Sequence, residues 1–121
     1  MIHRDIKPSN IVIEDPENLE TVKLVDFGLS LHCQTCVPHL EEFAGTVVYM
    51  APEQILNQTY AKSVDIWAVG IIMYELLTGR HPFWKKGMDK PKLKELILNY
   101  KDGHEWDFPE EIFSPYAKNL C

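Results

Sequence analysis

The sequence of 121 residues is 45% apolar and 25% charged, with 12 basic and 18 acidic side chains and a formal net charge of −6. This composition is typical of one globular unit and excludes a disordered, collagen-like or disulfide-rich chain. The acidic balance argues against a nucleic-acid partner, and the longest apolar run, Ile66 to Tyr74, is far shorter than the roughly 20 residues of a membrane-spanning helix.

Two short strands are predicted first in chain order. Residues 10–14 and 22–26 are rich in β-branched side chains, and a run of turn formers, Asp15-Pro16-Glu17-Asn18, separates them. This arrangement predicts a β-hairpin. Residues 29–50 show neither a period of 2 nor one of 3.6, and an irregular stretch of this length inside a compact domain is usually functional or mobile.

Two helices are predicted in the middle of the chain. Residues 52–58 favour a short helix with proline in its first turn. Residues 63–78 give the strongest helix pattern, with Ser63 as the N-cap and Gly79 just past the C-terminus. Apolar residues lie on every side of this second helix, which predicts that it is buried all round.

Two further helices are predicted toward the end of the chain. Residues 90–100 repeat apolar side chains at i, i+3, i+4 and i+7, which is typical of an amphipathic surface helix. Ser114-Pro115 predicts the start of a last helix, which is truncated after one or two turns. Together with the hairpin, these elements predict an α+β chain that is mainly α-helical.

Polar clusters lie where these elements begin or end. They are His3-Arg4-Asp5 with Lys7 and Asn10, then Asp26-Phe27-Gly28, and then Gly45-Thr46 followed by Met50-Ala51-Pro52-Glu53. A hairpin brings the residues before its first strand close to those after its second, so we expect Asp5, Lys7, Asn10 and Asp26 to converge at one end. Carboxylate and amide oxygens beside a lysine suit a hard cation that bridges phosphates.

Four motifs, HRDIKPSN, DFG, GTVVYMAPE and DIWAVG, follow one another in the order found in protein kinases. The chain resembles the C-terminal lobe of a eukaryotic-type protein kinase, with a short β-hairpin next to the catalytic loop. The resemblance implies a partial kinase domain over residues 1–121, with the catalytic loop at 3–10 and the DFG motif and activation segment at 26–53. Lysine two residues after Asp5 resembles the serine/threonine type.

The resemblance implies catalytic roles for three residues. Asp5 would orient the substrate hydroxyl and accept its proton. Lys7 would place positive charge on the transferring phosphoryl group, where charge develops. Thr46 matches the threonine that joins Asp5 and Lys7 in the active form of the family. The implied activity is transfer of the γ-phosphoryl group of ATP to protein substrates.

The resemblance also implies residues for ATP and Mg²⁺. Asn10 and Asp26 would hold the metal ion, because Mg²⁺ demands oxygen ligands and shares them with substrate phosphates. Val12 matches the apolar position beneath the adenine ring, with plain strand packing as the alternative. Gly28 would supply backbone freedom at the start of the activation segment.

Several other residues have structural roles in the resemblance. His3 and Phe27 would be stacked core residues. Asp65 would hold the backbone around His3 and Arg4, since a carboxylate on an apolar helix must be satisfied by hydrogen bonds. Glu53 would pair with an arginine beyond the end of the sequence.

Regulation in such kinases is centred on the activation segment. Arg4 would pair with a phosphate on this segment through a charge-assisted bidentate contact. Thr35 is the first choice for the phosphorylated residue, because it is the only threonine between Phe27 and Gly45. Glu41 and Glu42 are the alternative, as a built-in acidic substitute for the phosphate.

The second half of the chain, with HPF and WDFPEEIFSPYAKNL, resembles the calcium/calmodulin-dependent kinase group. The implied partners are protein substrates with serine or threonine acceptors. Glu75 matches a helix acid that selects a basic residue upstream of the acceptor in that group. Ser9 departs from the group, which commonly has glutamate between the proline and the asparagine, and this weakens the expectation of a basic preference.

Cysteine usage predicts the compartment and leaves one alternative site. Three cysteines without a visible signal peptide indicate a reducing setting, in the cytoplasm or the nucleus. Cys33 and Cys36, with His32 and His39, could form a zinc site, but four ligands within eight loop residues are cramped. Two reduced loop thiols is the better interpretation.

An alternative function is a pseudokinase-like or regulatory fragment without catalysis. Intact Asp5, Asn10 and Asp26 favour catalysis instead. The glycine-rich loop, the strand lysine and the αC glutamate of the N-terminal lobe are not in this sequence, and neither are the C-terminal helices of the family. We therefore expect a Mg·ATP-dependent serine/threonine kinase as the parent protein and no activity from these residues alone.

Overall fold

The computed structural model describes residues 1–32 and 46–100 of the chain. The strands and helices in these ranges are β1 (Ile11–Ile13), β2 (Val22–Leu24), α1 (Pro52–Ile55), α2 (Ser63–Thr78) and α3 (Lys90–Leu98). Single-turn 3₁₀ helices at Pro8–Asn10, Leu19–Thr21 and Val47–Tyr49 precede β1, β2 and α1. Helices together with one two-stranded sheet fit the predicted α+β class.

The two strands form an antiparallel pair in which Ile11 lies opposite Leu24. Side chains of the connecting segment hold it in place. The Asn18 side chain accepts the N–H of Glu20 at 3.1 Å, and the Thr21 hydroxyl donates to the Asn18 carbonyl at 2.7 Å. Such local bonds give the backbone partners where strand pairing stops. Both strands lie inside the predicted ranges, and each is shorter than predicted.

Helix α2 has the predicted bounds but not the predicted N-cap. It ends at Gly79, whose φ of +69° is the left-handed conformation that glycine adopts without a steric penalty. At the other end the capping position is Lys62, and its backbone is already helical. The predicted Ser63 cap is therefore wrong, and the Ser63 hydroxyl donates to the Glu53 carboxylate at 3.4 Å instead.

The prediction that α2 is buried all round is also wrong. Val64, Ala68 and Ile71 are buried, whereas Ile66 is 71% exposed and Leu76 is 80% exposed. The helix is apolar on every side, but the described residues pack against only part of its surface. No helix in residues 1–32 and 46–100 is long and apolar enough to cross a membrane.

Helices α1 and α3 end earlier than their patterns predict. Helix α1 stops at Ile55 rather than at residue 58, and Asn57 follows with a left-handed φ of +54° that cannot continue a helix. Helix α3 stops at Leu98 rather than at residue 100. It begins at a side-chain cap, because the Asp89 carboxylate accepts the N–H of Lys92 at 2.9 Å.

Three small apolar clusters join these elements. The first contains Ile2, Ala51, Tyr60 and Val64, the second Met50, Ile55, Leu93 and Ile97, and the third Ile6, Ala68 and Ile72. Helix α2 contributes to the first and third clusters and α3 to the second. Trp67 of α2 packs against both the first and the second cluster, so α2 contacts every part of the core.

We predict that two leucines of α3 differ sharply in their contribution to stability. Leu93 is 2% exposed and Leu98 is 37% exposed. Leu93→Ala is expected to lower the free energy of unfolding by about 2–5 kcal/mol, because it leaves a cavity in the second cluster. Leu98→Ala is the matched control and is expected to cost less than about 1 kcal/mol. Urea unfolding followed by tryptophan fluorescence measures both, and equal losses would contradict this packing of α3.

Candidate functional site

The loop before β1 is attached to α2 by the carboxylate of Asp65. Its Oδ2 accepts the N–H of His3 at 2.8 Å, and its Oδ1 accepts the N–H of Arg4 at 3.0 Å. Two backbone bonds between Ile2 and Leu31, at 2.8 and 2.9 Å, fix the start of the same loop. The contact expected for Asp65 is therefore present, and it orients the backbone immediately before Asp5.

Asp5 is the centre of a hydrogen-bonded cluster with Lys7, Asn10 and Thr46. Its Oδ2 accepts from Lys7 Nζ at 2.7 Å and from Asn10 Nδ2 at 3.3 Å. Its Oδ1 accepts the Thr46 N–H at 3.1 Å and the Thr46 hydroxyl at 3.2 Å. Lys7 Nζ also donates to Thr46 Oγ1 at 3.2 Å. Residues 41 positions apart in the sequence thus meet at one carboxylate.

The cluster keeps Asp5 ionised. Burial by itself raises the pKa of the Asp5 carboxyl, but the Lys7 ammonium group and the two Thr46 donors outweigh burial and hold the pKa below its ordinary value. The folded state is therefore stabilised by this carboxylate at every pH above the ordinary carboxyl pKa, and it loses that stabilisation as the pH falls through the lowered value.

Asn10 and Asp26 lie at the same end of the strand pair. Asn10 donates Nδ2 to the Asp5 carbonyl at 2.8 Å, and the N–H of Val25 donates to the Asn10 carbonyl at 2.9 Å. Asp26 follows Val25 and is exposed, with a φ of +61°. An amide oxygen and a carboxylate are oxygen donors of the kind that Mg²⁺ takes. In the described part of the chain no three His, Cys, Asp or Glu side chains are grouped to hold a metal ion.

His3 and Phe27 contact each other, but only His3 is buried. Their rings meet edge to face with centroids 4.9 Å apart. Phe27 is 47% exposed, so the prediction that it is a core residue is wrong: the described residues cover only part of its ring. Gly28 does not have a positive φ, and a Cβ there would lie 3.2 Å from Asp26 Oδ1. Close approach by that carboxylate, not backbone freedom, is what glycine permits here.

The guanidinium group of Arg4 is held by hydrogen bonds to Leu29 and Tyr60. Arg4 has a left-handed backbone with φ of +69°, and its Nε donates to the Leu29 carbonyl at 2.6 Å. Its Nη1 donates to the Tyr60 hydroxyl at 3.3 Å.

Val12, in the middle of β1, is 44% exposed, which leaves an apolar surface on the strand.

Glu75 belongs to a pair that the sequence did not reveal. The Tyr49 hydroxyl donates to Glu75 Oε2 at 3.0 Å. Burial, with the charge and hydrogen bond of Glu75, raises the pKa of Tyr49 to about 12. The ring of His81 lies 5.9 Å from that of Tyr49. Tyr49 lies in the motif GTVVYMAPE and His81 in the motif HPF, but the spacing of the two motifs does not show that these rings lie side by side.

A groove of about 370 Å³ opens beside Thr46. Apolar side chains form most of its lining, and it contains one side chain of each charge. The lining residues are Thr46, Val47, Val48, Trp84, Met88, Asp89, Lys90 and Leu93. Because Thr46 also bonds to Asp5, the groove adjoins the Asp5 cluster.

Some sequence predictions fall outside the described residues. They concern Thr35, Glu41 and Glu42, the Cys33–Cys36 pair and the helix from Ser114. The arginine predicted to pair with Glu53 would lie beyond residue 121. These interpretations stay predictions.

Comparison with known proteins gives consistent matches over the whole chain. The family model described as "Protein kinase domain" matches residues 1–121. The chain is 39% identical over 122 residues to the calcium/calmodulin-dependent protein kinase type II alpha chain of Drosophila melanogaster. It is 39% identical over 123 residues to the type II subunit delta of Oryctolagus cuniculus. Each match covers 99% of this chain and 22% of the relative, so the chain spans about a fifth of these relatives.

We predict that Lys7 is the main cause of the low pKa of Asp5. In Lys7→Met the carboxyl remains buried but loses its ion pair, so its pKa is expected to rise. The matched control is Lys23→Met, which breaks the exposed Lys23–Glu14 pair and leaves Asp5 untouched. Carbon-13 NMR titration of the labelled aspartate carboxyls measures the change. A pKa of Asp5 that is the same in both variants would contradict this account.

Proposed function

Since this chain belongs to the protein kinase domain family, we propose that the protein containing it is a Mg·ATP-dependent serine/threonine protein kinase. The observation that supports this most directly is the ionised Asp5 carboxylate, bonded to both Lys7 and Thr46. The two relatives are named as calcium/calmodulin-dependent kinases, which favours that group. In this proposal the chain is part of the C-terminal lobe, with its catalytic loop at residues 3–10 beside the strand pair.

The Asp5 carboxylate is suited to act on a hydroxyl acceptor. An oxygen that already accepts hydrogen bonds and stays ionised at neutral pH can orient the hydroxyl and take its proton as the hydroxyl oxygen bonds to phosphorus. Lys7 lies 2.7 Å from Asp5, so its charge stabilises negative charge that develops beside that carboxylate. Thr46 bonds to both side chains and fixes their separation.

The donor set at the strand ends fits a magnesium–nucleotide complex. Asn10 and Asp26 would hold the ion through an amide and a carboxylate oxygen, and phosphate or water oxygens would complete its coordination. Val12 offers exposed apolar surface at the neighbouring strand for a flat base. Bound Mg·ATP supplies the phosphoryl group that is transferred.

Two features of the site support a choice of protein substrate. The groove beside Thr46 offers room for the residues that flank the acceptor. The Glu75 carboxylate accepts the Tyr49 hydroxyl, and it would favour a basic residue upstream of the acceptor. Arg4 uses Nε and one Nη in the contacts described above, so its remaining N–H groups would bind a phosphate on Thr35 or the carboxylates of Glu41 and Glu42.

We predict that Asp5→Asn in the full protein lowers the rate of phosphoryl transfer by about 10²–10⁴-fold, which is the typical contribution of a general base. The matched control is Asp15→Asn in the exposed segment between the strands. It keeps an acceptor for the Glu17 N–H, which Asp15 Oδ1 accepts at 3.0 Å, and its rate should equal that of the wild type. Initial rates of phosphate incorporation into a peptide measure both, and near-normal turnover by Asp5→Asn would remove Asp5 from the mechanism.

We also predict the class of acceptor. If Lys7 and Thr46 frame the acceptor as in serine/threonine kinases, peptide arrays incubated with the full protein and Mg·ATP should be labelled on serine or threonine. Matched peptides that differ only by tyrosine at the acceptor position serve as the control. Strong labelling of those peptides would contradict the serine/threonine assignment.

A further inference from the structure

The imidazole of His81 contacts three backbone groups at once. Nδ1 lies 3.1 Å from the N–H of Phe83 and 2.8 Å from the N–H of Trp84. Nε2 lies 2.9 Å from the carbonyl oxygen of Val48. A nitrogen that accepts two N–H groups cannot itself be protonated, so the proton is on Nε2 and is donated to Val48. The three backbone groups together select the neutral Nε2–H tautomer.

These contacts tie together residues of the groove lining that are far apart in the chain. Val48 and Trp84 both line the groove beside Thr46. Val48 belongs to the 3₁₀ helix that directly follows Thr46, whereas Trp84 lies in the turn after α2. His81 is therefore a bridge between the Thr46 segment and this turn, and it sets the distance between the two parts of the lining.

The surroundings of His81 favour its neutral form. Burial lowers the pKa of the imidazole below its ordinary value, although the Val48 carbonyl and the Glu75 carboxylate oppose part of this effect. The other titratable group packed against the ring is Tyr49, whose pKa of about 12 keeps it protonated. The aromatic ring of Phe83 lies 6.4 Å from the imidazole and adds no charge.

We propose that His81 is a positioning residue for the protein substrate, which holds Val48 and the Phe83–Trp84 turn at the spacing that a bound peptide requires. This inference rests on the proposed kinase function and assigns the groove to the peptide beside the acceptor. The hydrogen bonds of Asp5 to Lys7 and Thr46 do not involve His81. Loss of the bridge should therefore weaken peptide binding and leave the phosphoryl-transfer step largely unchanged.

We expect acid to break the contacts of His81 with Phe83 and Trp84 and to leave its contact with Val48 in place. A protonated Nδ1 becomes a donor and cannot accept from Phe83 and Trp84, so the turn loses both contacts. Because the pKa of His81 is lowered, this loss begins only below the ordinary histidine value of about 6.5. The other charged groups near the ring and the groove are Glu75, Asp89 and Lys90.

The test compares three substitutions of His81 in the full protein. His81→Ala removes all three contacts, His81→Asn keeps an oxygen acceptor for the turn, and His81→Gln keeps an N–H donor for Val48. We expect His81→Ala to raise the KM for a serine peptide by about tenfold, on the order of one or two hydrogen bonds, with kcat within about twofold. The Asn and Gln variants should lie between wild type and His81→Ala.

The matched control is Arg80→Gln. Arg80 precedes His81 in the sequence but does not line the groove, so this substitution should leave the KM for the peptide unchanged. In the wild type the KM should rise as the pH falls below about 6.5, and His81→Asn should lack this rise. An unchanged KM in His81→Ala, or an equal fall in kcat and kcat/KM, would overturn the positioning role.

A measurement that does not depend on activity separates this inference from the kinase assignment. Long-range proton–nitrogen NMR of the full protein, labelled at histidine nitrogens, should show the neutral Nε2–H tautomer for His81. The Nδ1–H tautomer would overturn the bridge whatever the enzyme does. Failure of the wild type to phosphorylate any peptide would overturn the kinase assignment and the substrate role together. Catalysis with an unaffected His81→Ala variant would overturn only the role of His81.

Discussion

The carboxylate of Asp65 is the contact on which the arrangement of the site depends. It accepts two backbone N–H groups from the loop that leads to Asp5, and hydrogen bonds to a charged acceptor contribute roughly 1.5–3 kcal/mol each. Ten residues later the same helix presents Glu75, which holds Tyr49. At 1.5 Å per residue the two acids are about 15 Å apart along the helix axis. Helix α2 thus fixes the loop before β1 and the segment after Thr46 relative to each other.

Three titratable groups in this region are each held in one protonation state, for different physical reasons. Asp5 is kept ionised because the Lys7 charge and the Thr46 donors outweigh its burial. Burial and the charge of Glu75 act together on Tyr49 and keep it protonated. His81 is kept neutral mainly by burial. A site whose charges are constant near neutral pH keeps its hydrogen-bond directions constant as well, which favours binding of one substrate geometry.

Helix periodicity and the glycine after Thr78 predicted the bounds of α2, whereas the contacts of Asp5 and Asp65 were implied by the resemblance of the motifs to protein kinases. The sequence could not show what covers an apolar side chain. We therefore expect Ile66, Leu76 and Phe27 to be buried, whereas the described residues leave Ile66 and Leu76 largely exposed and Phe27 about half exposed. The bridge through His81 was missed for a related reason: its partners are backbone groups, and a backbone carbonyl has no signature in the sequence.

The left-handed backbone at Arg4 and Asp26 bears on how these positions respond to selection. Neither residue is glycine, yet φ is +69° at Arg4 and +61° at Asp26, a conformation that costs an L-residue about 1–3 kcal/mol. Glycine would relieve that cost at either position. At Arg4 the hydrogen bonds of the guanidinium to Leu29 and Tyr60 offset part of this cost, so the fold itself gives a reason for arginine. At the exposed Asp26 the carboxylate accepts the Gly28 N–H at a long 3.3 Å, which offsets little of the penalty. Selection for stability alone would therefore favour glycine at Asp26 more than at Arg4, and an aspartate there is worth its cost for what its carboxylate binds outside the fold.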